Sequence, residues 1–442
     1  MKKIDDNGGA LLSAREGTVR PLTGKGHRFA VRVWLFLLQS FFILMLVVPT
    51  TLQVPRGVFL VLITGVGGLL SLRVWRVHRD ITLLSLLTIS VGLFGVFWGG
   101  INSAPGALNV ASVFVVWPAL YFLFIGLVHK LGVIKSIESA LLVGIALATV
   151  MALSVMLAGL TGYIDAVHGV LEFQGAAFGN HSGFIEFRTY GLTTVMYGFP
   201  FVISYILVRR EELYGFSKLG IYLLLVAIVI VLLGSGRRAF WLVMLLTPLI
   251  IIPVLQYSAC YVKSLSLILL IFKSSVLAFV IIASIIGVIG IDPLVMVDNF
   301  VSAFQGQEES SSARYLQAAA LWEAFNNSPL IGHGLGSTVD VVRSHEMPWA
   351  FELSYLALLM QVGLLGVLIY AGAIFWVIFK GMQLSRKDPG FAKLFVPLVT
   401  ALCAFLIMNA TNPYLSKFDY VWVIFLPVAL INAHLTQRPR ND

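Results

Sequence analysis

Residues 219–256 read LGIYLLLVAIVIVLLGSGRRAFWLVMLLTPLIIIPVLQ, and this stretch decides the fold class. Two apolar runs flank a short polar break, and the only charged residues in the stretch are Arg237 and Arg238. Each run approaches the roughly 20 residues that an α-helix needs to cross a bilayer. Because lipid cannot hydrogen-bond with exposed backbone groups, such runs must be helical. The stretch therefore predicts two membrane-spanning helices joined by a turn that carries two arginines.

The composition of the whole chain agrees with this interpretation. Of the 442 residues, 59% are hydrophobic and 12% are charged, and the mean hydropathy is +0.93. A soluble domain has about 25% charged residues, and disordered chains are poor in apolar residues. Both classes are excluded. The net charge of +9 could indicate nucleic-acid binding, but basic cytoplasmic loops explain it better. We expect a lipid bilayer as partner and no nucleic acid.

The sequence predicts an all-α polytopic membrane protein with about twelve transmembrane helices. Placing both termini in the cytoplasm puts most of the 30 Lys and Arg residues in cytoplasmic segments, as the positive-inside rule requires. The predicted divisions are a disordered basic tail (1–28), a single transmembrane domain (29–436) and a short tail (437–442), with long outer loops at about 159–190 and 292–349. The predicted spans are 32–52, 57–74, 82–101, 110–128, 136–158, 191–208, 219–234, 239–256, 270–291, 350–379, 394–411 and 419–435.

A few cations break the positive-inside bias and fall on the predicted outer face: Arg56, Arg188, Arg237, Arg238, Arg314, Arg343 and Lys417. Arg188 precedes the sixth span, the Arg237–Arg238 pair precedes the eighth, and Arg314 opens a predicted loop helix after three serines. A helix N-terminus attracts anions, and a guanidinium binds phosphate oxygens bidentately, so these positions favour a phosphate site. Alternatively, each arginine reaches lipid headgroups or pairs with a local acid.

The second long loop adds further candidates. Its GHGLG stretch contains Gly332, Gly334 and Gly336. Glycine lets a backbone turn tightly or approach a ligand closely, so the motif is either a phosphate contact or a plain loop turn. His333 and His345 are candidate proton shuttles by residue type.

Glu352 is predicted in the first turn of the tenth span. It is either an acid matched to the helix dipole or a general base at the water–membrane boundary.

Other chemistries lack their motifs. The outer loops contain no His-x-x-x-His, DxD or EF-hand spacing, and no Walker A motif occurs, so we expect no metal and no other cofactor. The predicted spans contain almost no ionisable residues, whereas coupled transporters carry them within the membrane.

Four stretches, in order, resemble the O-antigen ligase/polymerase superfamily of bacterial membrane glycosyltransferases. FRTYGLTTVMYGFP resembles the family's Arg-x-x-Gly stretch, and GSGRRAFWLV resembles its Ser-Gly-Ser-Arg stretch. SARYLQAAALWEAFNNSPLIGHGLGS resembles its R…W…A…PLxGxGxG loop, and FELSYLALLMQVGLLG resembles its HNxYLxxLxExGLxG helix. The motifs cover roughly residues 180–380. The resemblance implies a C-type membrane glycosyltransferase-like fold.

The resemblance also implies a function at the outer (periplasmic or exterior) face of the bacterial inner membrane. Such enzymes transfer a glycan from undecaprenyl pyrophosphate to an acceptor hydroxyl, which is itself part of a glycan or lipid-linked molecule. Carried over, Arg188, Arg237 or Arg238, and Arg314 would bind the pyrophosphate. Glu352 stands where the ligases have a histidine, and this departure favours a polymerase of polysaccharide repeat units. Glu352 is then the expected base, with His345 or His333 as substitutes.

Three alternatives stay open. An O-antigen ligase, which moves finished polymer to a lipid A core sugar, would use the same site. A small-anion transporter, for an ion such as bicarbonate, is of a different class and would need polar residues threading through the spans. A scaffold without chemistry fits poorly with so many ionisable residues on one face. Other polysaccharide-assembly proteins are further expected partners.

Overall fold

The structure is a computed structural model that describes residues 25–49, 52–71, 75–128, 131–161, 177–181, 184–235, 237–260, 268–277, 280, 309–342 and 345–437. The described chain is mainly helical. Its helices are Lys25–Val47 (α1), Gln53–Ser71 (α2), Arg79–Ile101 (α3), Ala107–Leu127 (α4), Leu131–Thr161 (α5), Leu192–Val208 (α6), Gly215–Gly234 (α7), Arg238–Tyr257 (α8), Ile268–Leu277 (α9), Glu309–Asn327 (α10), Ser354–Lys387 (α11), Pro389–Met408 (α12) and Trp422–Gln437 (α13).

The prediction of an all-α membrane protein is confirmed at this level. Within the described residues, eight helices are long and apolar enough to cross a membrane, and four shorter apolar helices accompany them. The shorter ones cover Arg32–Val47, Val54–Gly67, Leu192–Val208 and Ile268–Leu277. Each of the twelve predicted spans overlaps one of these helices. The number of crossings and the orientation of the termini stay predictions.

One feature of the first long loop was not predicted. Residues Ala177–His181 (β1) and Phe184–Arg188 (β2) form an antiparallel two-stranded sheet. The all-α prediction did not include this small hairpin. The last four residues of β2, IEFR, alternate apolar and polar side chains, which is the pattern of a strand. The predicted tail also ends early, since α1 begins at Lys25. Residues 1–24 and 438–442 lie outside the described part.

The centre of the bundle is built around α6 and α12, which pack against each other. Nearly every residue of α6 is buried, and 78% of the apolar window of α12 is buried. A helix that is apolar on all sides belongs in an interior, away from both lipid and water. α5, α7, α8 and α13 pack on one or both helices of this pair, and α1 packs on α5. All of them contribute to one continuous core.

Candidate functional site

The candidate site lies at one end of the bundle, which we call the site end. It comprises residues 329–342, 345–353 and 409–417 together with Arg237. Hydrogen bonds join these segments to one another and to the helix ends beside them. Asn102 Nδ2 donates to the His333 carbonyl at 3.1 Å, and Ser354 Oγ donates to the Asn412 carbonyl at 3.0 Å. The predicted topology places this end outside the membrane.

The GHGLG motif is a wedge of backbone packed between helices. Gly332, Gly334 and Gly336 have positive φ angles of 69°, 95° and 83°. A Cβ at Gly334 would lie 2.1 Å from the Gly99 backbone nitrogen, and one at Gly336 would lie 2.2 Å from the Ala107 nitrogen. Only glycine combines this backbone conformation with so close an approach. Packing therefore accounts for the three glycines, and their contact with phosphate stays a prediction.

The wedge also fills a break in α11. The backbone of α11 is non-helical at Gly363, where φ is 64°. On one side of the break, the Leu364 amide donates to the Pro329 carbonyl at 2.8 Å, and on the other, the His333 amide donates to the Met360 carbonyl at 3.0 Å. Irregular backbone is tolerated within a membrane protein when other protein groups satisfy it in this way. These bonds fix the first turns of α11, and with them the segment that carries Glu352.

Two of the predicted site residues form an ion pair. The Arg314 Nε donates to the Glu352 Oε2 at 2.6 Å across a separation of 38 residues, and the two side chains are 39% and 23% exposed. Leu321 of α10 packs in one small core with Phe351, which holds the two segments together. A guanidinium has five N–H donors, so a bond through Nε leaves donors that can reach an anion.

The positions of both residues within their helices differ from prediction. α10 begins at Glu309, so Arg314 lies in the second turn and does not open the helix. α11 begins at Ser354, so Glu352 precedes the helix and does not lie in its first turn. The stretch of serines before Arg314 resembles a cap, but its residues continue the helix. The expected coupling of Arg314 to a helix N-terminus is therefore wrong.

Arg237 is confirmed at a helix start, because it is the residue directly before α8. Its guanidinium lies 5.7 Å from the centre of the Phe240 ring. Its charge also reaches the 409–417 segment. Burial raises the pKa of the Tyr414 hydroxyl; Arg237 and a hydrogen bond from Thr193 lower it, and Glu352 raises it. Arg237 and Glu352 thus have opposite effects on the pKa of one buried tyrosine.

Lys417 belongs to the same neighbourhood. Burial, followed by the charge of Arg237, lowers the pKa of its ammonium group. Both effects disfavour a charged lysine, the first by loss of water and the second by repulsion between like charges. The charge of Arg237 therefore acts on two residues of the 409–417 segment, Tyr414 and Lys417.

The remaining predicted residues are placed in different ways. Arg188 is exposed at the end of β2, and the side chain of Arg238 lies outside the described part. His345 is exposed. His333 is half-buried, and its Nε2 lies 2.7 Å from the Ala324 carbonyl oxygen, which ties the wedge to α10. Convergence of Arg188 with the other arginines and a role for either histidine stay predictions.

An apolar cavity of about 470 Å³ lies next to the ion pair. Phe351 and Ser354, which flank Glu352 closely in sequence, line it at the site end. It continues along α11 to Ile378 and along α13 to Val428. On α11 alone the lining residues run from Ser354 to Ile378. A charged pair therefore stands beside a long apolar space between helices.

Sequence reasoning missed a buried ion pair beneath the site. The Arg56 guanidinium binds the Asp419 carboxylate, with the two side chains 0% and 1% exposed. We had expected Arg56 in a loop, but it lies inside α2. The sequence contains one indication of this pair. Arg56 is the only charged residue of α2, and Asp419 is the only acid between positions 389 and 437. Two lone opposite charges in apolar segments predict a pair, because neither can be buried alone.

The described residues contain no group of three His, Cys, Asp or Glu side chains positioned to hold a metal ion. No protein-family model matches this chain, and no curated protein matches it either.

Proposed function

We propose that this chain is a membrane glycosyltransferase that polymerises polysaccharide repeat units carried on undecaprenyl pyrophosphate. The observation that supports this most is the position of the Arg314–Glu352 ion pair beside a long apolar cavity. A lipid-linked diphosphate has the same two parts, a doubly charged head and an apolar chain. Arginine is well suited to the head, because its planar fork matches phosphate oxygens. The cavity suits a part of the chain, because it is apolar along its length.

The proposed step is an inverting transfer at the anomeric carbon of the donor glycan. The acceptor hydroxyl oxygen forms a bond to that carbon while the bond from the carbon to the pyrophosphate oxygen breaks. The electron pair leaves with undecaprenyl pyrophosphate, and the proton of the hydroxyl passes to the Glu352 carboxylate. Arg237 and Arg314 stabilise the charge that develops on the leaving group, which is the largest contribution to catalysis in such sites.

Arg314 has a second part in this mechanism through its bond to Glu352. The bond holds the carboxylate in one place before substrate arrives, and positioning of a base contributes to rate separately from its basicity. Substrate phosphate would compete for the same guanidinium. The proposed setting is the outer face of a bacterial inner membrane, with a glycan acceptor, the bilayer and other polysaccharide-assembly proteins as partners.

The proposal separates from its alternatives by phenotype. Loss of a polymerase leaves single repeat units on the acceptor, whereas loss of a ligase leaves long polymer on the lipid carrier. A transporter would need a polar path, but the cavity beside the site is lined mainly by apolar side chains.

Reconstitution tests the proposal. The purified chain in proteoliposomes is supplied with undecaprenyl-pyrophosphate-linked repeat units, and chain length and released undecaprenyl pyrophosphate are measured. We expect wild-type protein to produce polymer, and Arg314→Ala and Arg314→Lys to produce none at normal protein level. Lys393→Gln, at the opposite end of the bundle, is the matched loss of one cation and should retain full activity.

Two results would contradict parts of the proposal. Near-normal polymer from both Arg314 variants would remove Arg314 from the mechanism. Retained activity in Glu352→Gln would remove Glu352 as the base and direct attention to His333 and His345. If the same proteoliposomes took up a radiolabelled anion and formed no polymer, the result would contradict the enzyme proposal and support a transporter.

A further inference from the structure

The helix α10 carries Arg314 on one side and exposed aromatic and apolar side chains on another. Tyr315, Trp322 and Leu330, the last of them just beyond the helix end, are 79%, 53% and 59% exposed, and Leu316 beside Tyr315 is exposed as well. Tyr315 and Trp322 stand about two helical turns apart, so their rings lie on the same side of α10. Several large apolar groups exposed along one element mark an interaction surface.

The other side of α10 is fixed against α11. Near the start of α10, Arg314 bonds to Glu352, and in its middle Leu321 packs in the small core that the two helices share. Beyond its end, the Leu365 amide donates to the Leu330 carbonyl at 3.1 Å. α10 therefore runs beside the first turns of α11, from the level of Glu352 to the level of Leu365.

The exposed side of α10 continues into the surface of two helices that are long and apolar enough to cross a membrane, α3 and α11. On α11, Leu365 is itself exposed and bonds through its amide to Leu330. On α3, Phe97 is exposed, and its neighbour Trp98 donates from Nε1 to the Gly332 carbonyl at 3.0 Å. The exposed apolar surface of α3 and α11 thus extends to the end of α10.

The composition of this side of α10 suits the boundary between lipid and water. Tyrosine and tryptophan are enriched at that boundary, because each has an apolar ring and a polar tip. Glu323, Asn326 and Asn327, which follow Trp322 closely in sequence, are also exposed. Burying such polar groups in hydrocarbon without hydrogen bonds is costly. The mixture therefore favours the headgroup level over the hydrocarbon core.

We propose that the exposed side of α10 lies in the headgroup region of the bilayer, in the leaflet on the side of the site end, with Leu330 deepest and Tyr315 nearest to water. This contact holds Arg314, the neighbour of Tyr315, at the height of the lipid headgroups. The inference goes beyond the proposed function, because α10 can contact lipid whatever reaction the site performs.

Site-directed spin labelling measures the depth of α10 directly. The two native cysteines are removed by Cys260→Ala and Cys403→Ala, and single cysteines are then introduced by Tyr315→Cys, Trp322→Cys or Leu330→Cys. The nitroxide-labelled full chain is reconstituted in vesicles of phosphatidylethanolamine and phosphatidylglycerol. Collision rates are measured with oxygen, which concentrates in lipid, and with a nickel chelate, which stays in water.

We expect the ratio of oxygen collisions to chelate collisions to rise several-fold from Tyr315→Cys through Trp322→Cys to Leu330→Cys. Asp340→Cys, at an exposed position of the site end, is the water reference. Leu245→Cys, at an exposed position of the apolar helix α8, is the lipid reference. The three labels on α10 and just beyond it should fall between these two references.

Two results would overturn the inference. If the chelate reaches all three labels as readily as it reaches Asp340→Cys, the exposed side of α10 stands in water. If neither reagent reaches them, or if the labels broaden one another until unlabelled protein is added, a protein surface covers α10 and the assignment to lipid is wrong. Either result leaves the proposed function standing, because polymer formation tests that separately.

Tryptophan quenching gives a second measurement that keeps both native cysteines. Emission from the reconstituted chain is recorded with lipids brominated close to the headgroup and, separately, with iodide in the water. Trp322→Phe should reduce the share of emission that the brominated lipid quenches and leave the share that iodide quenches unchanged. A loss confined to the share quenched by iodide would contradict the inference.

Discussion

Charged side chains are paired differently at the two ends of the helical bundle. At the end opposite the site, Arg209 pairs with Glu138 at 2.6 Å and with Glu212 at 3.3 Å, and Lys393 pairs with Glu212 at 2.5 Å. At the site end, Arg314 pairs with Glu352 at 2.6 Å, and the charge of Arg237 acts on Lys417. The first cluster joins two cations to two carboxylates. In the second cluster, two groups of like charge, Arg237 and Lys417, act on each other.

The backbone differs between the ends as well. Near the opposite end, α12 begins in the usual way, with the Asp388 carboxylate accepting from the Phe391 amide at 3.1 Å. At the site end, the glycine wedge forms backbone hydrogen bonds with α11 on both sides of the non-helical residue Gly363. Helix caps need only local sequence, whereas the wedge needs contacts between distant segments. A site built on the wedge therefore depends on the complete fold.

The largest expected effect follows from the wedge. Gly334→Ala places a methyl group where only 2.1 Å separates it from the Gly99 backbone nitrogen, at a φ of 95°. The nearest atoms all belong to the backbone of α3, so no flexible group can move aside, and we expect most of the folded protein to be lost. Gly372→Ala is the control, because a Cβ there meets nothing within 4 Å. Fluorescence-detected size exclusion measures the folded fraction. A normal profile for Gly334→Ala would contradict the packing role.

The second prediction contrasts the two charge clusters directly. Arg209→Gln leaves Glu138, whose side chain is 10% exposed, without its buried partner. Removing one partner of a buried ion pair destabilises the fold, so the melting temperature should fall while activity per folded molecule is kept. Arg314→Gln, at the partly exposed pair of the site end, should do the reverse, with little change in melting temperature and a large loss of polymer formation. If the two variants changed melting temperature and function in the same way, the proposed difference between the two ends would be contradicted.

A third prediction separates the head of the substrate from its chain. Ala373 lines the cavity on α11, away from the ion pair. Ala373→Trp should fill part of the cavity and raise KM for the lipid-linked donor about tenfold, equivalent to roughly 1.4 kcal/mol. Binding of inorganic pyrophosphate should not change. Leu245→Trp, at a position that is 74% exposed on α8, is the control. An unchanged KM would show that the cavity does not hold the substrate chain.

The smallest effect concerns pH at the opposite end. The hydrogen bond from Lys393 lowers the pKa of the Glu212 carboxyl below its ordinary value, partly offset by burial. A carboxyl with a lowered pKa stabilises the fold above its ordinary pKa and loses that effect as pH falls through the lowered value. Wild type should therefore exceed Glu212→Gln slightly in melting temperature at pH 7, and the difference should shrink under acid conditions. If the difference in melting temperature grew as the pH fell, the predicted effect of the Glu212 carboxylate on stability would be contradicted.

The helices were largely predictable because a local property determines them. Apolar runs such as 219–234 and 239–256 correspond to α7 and α8, and the placement of Arg237 before α8 followed from the polar break between them. The hairpin of β1 and β2 was not predicted, because an alternation of four residues in a long loop is a weak signal. The start of α10 was misplaced because serines are compatible with both a cap and a first turn.

The contacts that organise the site could not be predicted, because they depend on spatial proximity. Arg314 and Glu352 were each singled out, but their bond required knowledge of how α10 packs. Lys417 was counted only as one outer cation, and Arg56 was placed in a loop. The sequence shows that the wedge is glycine-rich. Its contact with the break at Gly363 involves a second segment about 30 residues away, and sequence alone does not show that the two meet. Sequence identified candidate residue types, and the fold determined which of them meet.

The most direct test of a lipid-diphosphate site is an equilibrium comparison of two ligands with the same chain. Undecaprenyl pyrophosphate and undecaprenol are titrated separately against the detergent-purified wild-type protein, and Kd is determined for each. We predict that the diphosphate binds at least tenfold more tightly and that this preference disappears in Arg314→Ala. Equal affinity for the two lipids in the wild-type protein would contradict the proposed site.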